Sequence, residues 1–488
     1  MGCRQSKAVP AVPILHVIVV HYNPCGFQRR AILVNECLSR LFLTQQYLEQ
    51  RHASVRLQIH VMELLYGQDA TSELHISSAS GMELLQRRVE DSKQVLWSKE
   101  QLINIVLQES ILPLYDASTS NGYVAWLDSD IEFRELIAED QASWVSRTIA
   151  TLQQHPLCFG QVWTTCDLLG PPVDDHGNKQ TPTKLLTVKS FAYQYTSGKQ
   201  YTSLSNRQKD YWHPGFAWIA TTRALQKTNG LIDRTLGSAD RHMAMSFLGR
   251  AKESVPQAYI DACQSSSSDS SCSYLQQVLA WERIVQQEGI EFVVVDGVSI
   301  CHHWHGSLRN RRYMGRWEIL RRHCFCPEKH LQVSSDGILC TWNLETCPPE
   351  LLDDVKRYFE ERDEDCMVLT EEDYLMDAGD VGSFEEGNTV VRDKKVKKRN
   401  QDGIAAGENA EGNKIASAVL EDCSSSSDDS ACQDPGIIDG DKNDGDGIGD
   451  SNEGPGASAL AAAVFVSDVV SEAVAVSTEG SGPLSFYG

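Results

Sequence analysis

Apolar and polar positions along the chain follow two periods in turn. Ile14 to Val20 is a short continuous apolar run, as expected of a strand buried on both faces. It ends in HYNPCG, where Asn23-Pro24 and Gly26 mark a turn. From Gln28 to Gln50 apolar residues recur at helical spacing: Ile32, Leu33, Leu38, Leu41, Phe42 and Leu48. Val55 to Leu65 then alternates through Val55, Leu57, Ile59 and Val61, which suits a second strand. Strand, helix and strand at this spacing predict a right-handed crossover in a parallel sheet.

The pattern continues. Ser98 with Gln101 three residues on predicts a capping box, opening a helix that turns Leu102, Ile103, Val106 and Leu107 inward. Beyond Pro113 a third strand is expected at Tyr123 to Ile131, then a helix near Gln141 to Gln154 and a strand near Cys158 to Thr165. Gly170 to Lys209 reads as a polar loop. His213 to Leu225 reads as strand then helix, and Gly230 to Gly249 as a glycine turn before Asp240 and a helix. Glu291 to Val295 is a further strand, and Cys301 to Tyr313 gathers three histidines before a last helix. Alternating strands and helices of this kind belong to an α/β fold.

The strand end YVAWLDSDI carries candidate chemistry. Side chains two apart on an extended chain point the same way, so Asp128 and Asp130 can face one cation. A hard divalent ion held by one or two carboxylates keeps room for substrate phosphates. The competing reading is a plain turn, since Asp and Ser bond their own backbone. Ligands of open α/β sheets bind beyond the carboxyl ends of strands, where both the Asn23 turn and the Asp pair fall.

Composition then divides the 488 residues unevenly. Residues 13–362 have the mixture of a folded domain. Residues 363–488 become acidic and rich in serine and glycine, too poor in apolar surface to offset ordering entropy, and read as a disordered tail. Much of the net charge of −23 lies in that tail, and it argues against nucleic acid as a partner. Within it, KKVKKR at Lys394 to Arg399 reads as a solvated charge run, with nuclear import or anionic lipid as rival readings. The fifteen cysteines contain no Cys-x-x-Cys pair, which points to reduced thiols rather than a zinc or disulfide framework.

Residues 1–12 add an address. MGCRQSK fits N-myristoylation at Gly2 with palmitoylation at Cys3 beside it. Two chains hold a protein on a membrane where one does not, so a peripheral place on the cytosolic face is expected.

With these segments in order, the chain resembles a GT-A glycosyltransferase, and more closely a group of glycosyltransferase-like proteins found in microbes and viruses. The likeness rests on HYNPCGFQRR, WSKEQLIN, VAWLDSDI, GFAWIATTRAL, GSADRHMAMSFLGR and HHWHGSLRNRRYMGRWEIL, and spans about Ile14 to Arg362. The layout is also similar to that of beta-1,4-galactosyltransferases: a helix with Leu-Asn, an Asp-x-Asp, a glycine-acidic motif and a late histidine. It implies a Rossmann-like, mostly parallel sheet flanked by helices. It also implies sugar transfer from a nucleotide-diphosphate-sugar donor to a hydroxyl acceptor, with inversion, using Mn²⁺ or Mg²⁺.

The same resemblance implies roles. Asp130, supported by Asp128, would hold the metal, with His305 as the late ligand, His302 as its rival and His303 a third histidine nearby. Imidazole ligation favours manganese over magnesium. Asp240 would be the base. Tyr22 and Asn23 would line the nucleotide site, Lys99 and Asn104 would approach the donor, and Arg311 and Arg312 would neutralise the departing phosphate. Departures from the pattern are Gly237-Ser238-Ala239 in place of a glycine run and a single acidic residue after it. Two other classes stay open: a non-catalytic nucleotide-sugar-binding or scaffold protein brought to membranes by acylation, and a nucleotidyltransferase.

Overall fold

A computed structural model describes residues 12–51, 53–76, 80–92, 94–116, 121–134, 144–173, 178–201, 211–266, 272–311, 315–333 and 339–369. The acylation segment with Gly2 and Cys3, Arg312, and the tail from 370 onward lie outside them. The described strands run in chain order: β1 (Ile14–Tyr22), β2 (Arg56–Tyr66), β3 (Glu83–Val89), β4 (Tyr123–Leu127), β5 (Ile131–Phe133), β6 (Cys158–Gln161) and β7 (Thr165–Leu169). They continue with β8 (Lys184–Ser190), β9 (Trp212–His213), β10 (Ala217–Thr221), β11 (Glu291–Val294), β12 (Ser299–His302), β13 (Leu331–Val333) and β14 (Cys340–Trp342).

Seven of them form one mixed sheet in the order β11-β6-β10-β4-β1-β2-β3. β1 pairs in parallel with β2 and β4, as the crossover pattern predicts. β10 runs antiparallel to both its neighbours. The fold is therefore α/β with a mixed sheet and flanking helices. Successive side chains of a strand go to opposite faces. Accordingly Ile18, Trp126 and Trp218 enter one apolar core, and Val17, Val19, Leu127 and Ile219 the other. Trp126 and Trp218 stack at 6.0 Å in that first core. The helix Gln28–Gln50 has the bounds its periodicity predicts.

Three expectations need correction. Ser98 precedes the helix Lys99–Val106, but its hydroxyl donates to the Leu96 carbonyl (3.2 Å) and makes no capping bond. The expected polar loop contains β8 and the helix Phe191–Thr196, and β8 joins a second sheet of order β5-β12-β7-β8-β9. Ordered chain also continues past Arg362, where composition places the domain end: Asp365 accepts the N–H groups of Gln28 (3.1 Å) and Arg29 (2.7 Å). Among the described residues no helix is long and apolar enough to cross a membrane.

Candidate metal and catalytic site

β4 leaves the sheet at Leu127, and the chain turns through Ser129 and Asp130 before β5. The turn separates the two aspartates that an extended chain would align. Asp130 goes toward β12, which pairs with β5 so that His302 stands opposite Ile131. The His303 N–H donates to the Asp130 carbonyl at 2.7 Å, fixing the histidine loop against the turn. Asp130 Oδ2 then lies 2.9 Å from His305 Nε2 and 3.5 Å from His302 Nε2. These three residues offer ligand atoms within 4.8 Å of one another.

The donor set fits a divalent cation. Asp130 Oδ1 is buried and has no hydrogen-bond partner among the described residues. Burial pushes His302 down to about 4, against the pull of Asp130, so its ring is neutral at pH 7 as a ligand must be. Burial works against the Asp130 charge, yet His302 and His305 hold its carboxyl well below the usual range. Arg311 Nη1 also reaches His305 Nε2, at 2.9 Å.

Asp128 faces the other way. Lys99 Nζ sits 2.6 Å from its Oδ1, and the Phe216 N–H donates to its Oδ2 at 3.2 Å. Both oxygens are thus engaged by the protein. The same ammonium lies 3.2 Å from Asp240 Oδ2, so Lys99 bridges the two carboxylates instead of standing free before a donor. Burial opposes the Lys99 charge, but Asp128 and Asp240 outweigh it and hold the ammonium well above the usual lysine range. Asp240 starts the helix Ala239–Phe247 after Gly237 and Ser238, both at positive φ. That turn brings Asp240 to the sheet's carboxyl edge with its Oδ1 buried and unpartnered among the described residues. Glu100, also buried, is pushed up to about 8 by desolvation, with Asp240 and Asp128 adding to the effect and Lys99 opposing it.

No protein-family model and no curated protein matches this chain. The site therefore stands on its own geometry.

That geometry gathers Asp128, Asp130, Lys99, Asp240, His302, His305 and Arg311 along one edge. It gives Asn23 and Asn104 other work. The Asn23 amide donates to the Phe27 carbonyl (3.0 Å) and to Glu73, and its oxygen accepts from the Phe27 N–H (2.9 Å). Asn104 holds the Leu231 backbone through both its groups (3.0 and 2.8 Å) and also reaches Asp233. Both side chains fix loops. Tyr22 is buried, with Trp97 at its edge and the Arg30 guanidinium 5.5 Å from its ring centre.

His303 points away from Asp130. It pairs with Glu132 at 2.9 Å, and with Cys301 these make a second group close enough for a metal. Here Arg40 lies 3.6 Å from Glu132, and the Arg134 guanidinium next to it is taken by Asp167 at 2.5 Å. Burial lowers His303, but Cys301 and Glu132 prevail and push it up to about 9. The His303 imidazolium and Arg40 already supply this group's positive charge. His242 is a core histidine, bonded to Ser254 (2.6 Å) and Tyr274 (2.9 Å). Sequence reasoning missed Glu100, which lies within WSKEQLIN but was given no role, and Glu364, which stands among acidic neighbours that read as tail.

Proposed function

We propose that this chain is a metal-dependent glycosyltransferase of the GT-A type, moving a sugar from a nucleotide-diphosphate-sugar donor to a hydroxyl acceptor with inversion. The observation that carries this reading is the pairing of two unlike acidic groups at one sheet edge. Asp130 with His302 and His305 forms a cation-ready cluster, and Asp240, joined through Lys99 to the neighbouring Asp128, keeps a buried oxygen without a partner among the described residues.

A divalent cation, Mn²⁺ or Mg²⁺, held by Asp130, His302 and His305 would supply positive charge against the departing diphosphate. Asp240 Oδ1 would accept the proton of the attacking hydroxyl. Lys99 keeps Asp240 and Asp128 in fixed relation, and Arg311 adds a guanidinium on the leaving-group side. Acyl chains at Gly2 and Cys3 would place this chemistry on the cytosolic face of a membrane.

The test is a panel of nucleotide sugars with purified protein, with and without Mn²⁺, scored by nucleoside-diphosphate release. Metal-dependent release from one donor, lost in Asp130→Ala, is the expected result. The salt bridge between Lys99 and Asp240 favours a second reading, in which the base is permanently paired and the domain only binds nucleotide sugar. Donor binding without release under every acceptor tried would select that reading. Neither binding nor release would overturn both.

A further inference from the structure

The segment Glu361–Cys366 folds back over the histidine loop. Glu364 at its centre has 0% solvent exposure. Arg30 grips both its oxygens, with Nη2 2.7 Å from Oε1, and Arg362 Nε donates to Oε1 at 2.6 Å. The neighbours lock the segment down. Asp365 accepts from the first N–H groups of the helix Gln28–Gln50, and the Trp304 indole donates to the Cys366 carbonyl at 2.7 Å. Gly306 lies so close below that a Cβ there would stand 2.8 Å from the Asp363 carbonyl.

Glu364 Oε2 comes within 3.7 Å of His305 Nδ1, the ring nitrogen turned away from Asp130. The other nitrogen, Nε2, faces the Arg311 guanidinium at 2.9 Å. Nε2 also lies 2.9 Å from Asp130 Oδ2; to ligate a cation beside Asp130 it must present its lone pair, and the proton of a neutral ring then belongs on Nδ1. Nδ1 is the side on which Glu364 waits. A carboxylate behind a ligating histidine fixes the tautomer and the ring orientation and raises ligand basicity.

We propose that Glu364 is a positioning residue for the cation site: it holds His305 in the Nδ1-protonated form, with Nε2 presented beside Asp130. The inference rests on reading Asp130, His302 and His305 as that site. It also gives the ordered segment after Arg362 a task, since Arg30, the start of the helix Gln28–Gln50 and Trp304 of the histidine loop all hold that segment in place.

The test measures Mn²⁺ affinity by electron paramagnetic resonance on full-length protein. Its variants are Glu364→Ala, Glu364→Gln and Asp365→Ala, with near-UV circular dichroism as the check on folding. Glu364→Ala should weaken Mn²⁺ binding roughly 10- to 100-fold. Glu364→Gln, which keeps an acceptor for Nδ1–H, should fall between it and wild type. Asp365→Ala loosens the same segment without touching His305 and should stay within about threefold of wild type, since it leaves the carboxylate behind the ligand in place. Nitrogen-15 spectra of histidine-labelled wild type saturated with diamagnetic Mg²⁺, assigned with His305→Gln, should show the proton on Nδ1. Wild-type affinity in Glu364→Ala, equal losses in Glu364→Ala and Asp365→Ala, or a proton on Nε2 would each overturn the proposal alone. Wild-type protein that binds no Mn²⁺ would overturn the cation site and this proposal with it.

Discussion

Asp128 and Asp130 stand two residues apart and live in opposite circumstances. Asp128 has a cation supplied by the chain, Lys99 at 2.6 Å, and a backbone donor on its second oxygen. Asp130 meets two imidazoles and keeps one buried oxygen without a partner among the described residues. The first carboxylate is complete within the fold; the second is complete only with something added. A buried polar atom without a partner costs about 1–3 kcal/mol, so the second arrangement calls for a ligand. Proximity in sequence made the two look like one site, and the turn at Ser129 made them two.

The largest expected effect breaks the Asp130 side. Asp130→Ala should remove Mn²⁺ binding and lower metal-dependent release by about a thousandfold or more, the scale of several kcal/mol of lost charge stabilisation. Asp128→Asn should leave Mn²⁺ affinity within a few-fold, and equal losses in both would erase the distinction. Lys99→Met attacks the other side. Two half-buried carboxylates would lose their shared partner, a change expected to destabilise the fold by roughly 1–3 kcal/mol in urea unfolding. Added Mn²⁺ should then stabilise the variant more than wild type, because Asp128 would have become a second incomplete carboxylate.

Glu100 sharpens the comparison through pH. Its folded-state value of about 8 lies above its ordinary 4.5, so the folded protein binds the proton more tightly than the unfolded chain does. The associated stability is complete below pH 4.5 and is lost as pH rises through about 8. Glu100→Gln should flatten this slope, its advantage over wild type growing with pH to a few kcal/mol. A difference that does not change with pH would count against a neutral, buried Glu100. The smallest effect belongs to His303. His303→Gln should leave Mn²⁺ affinity unchanged, since His303 turns to Glu132 and away from Asp130, whereas His302→Gln should weaken it clearly.

What the sequence revealed follows the strength of its periodic signals. β1, the helix Gln28–Gln50 and β2 were legible because a continuous apolar run and a helical stripe cannot be mistaken for each other over such lengths. β3, ELLQRRV, was not, because an edge strand with exposed positions lacks that signal. β8, an inner strand of the second sheet, was hidden because most of its positions are exposed or half-buried within a polar stretch. Asp130, His305 and Asp240 were visible as motif residues. Their partners were not, for Lys99 reaches Asp128 and Asp240 only through the fold, and Glu364 meets Arg30 across more than three hundred residues. The capping box at Ser98 shows the converse, a local motif that the surrounding structure does not use.

The most direct measurement is anomalous diffraction at the manganese edge from crystals of the full chain grown with Mn²⁺. The account predicts a peak bounded by Asp130, His302 and His305, with Lys99 still bridging Asp128 and Asp240. A peak at Glu132, Cys301 and His303, or no peak at saturating Mn²⁺, would contradict it.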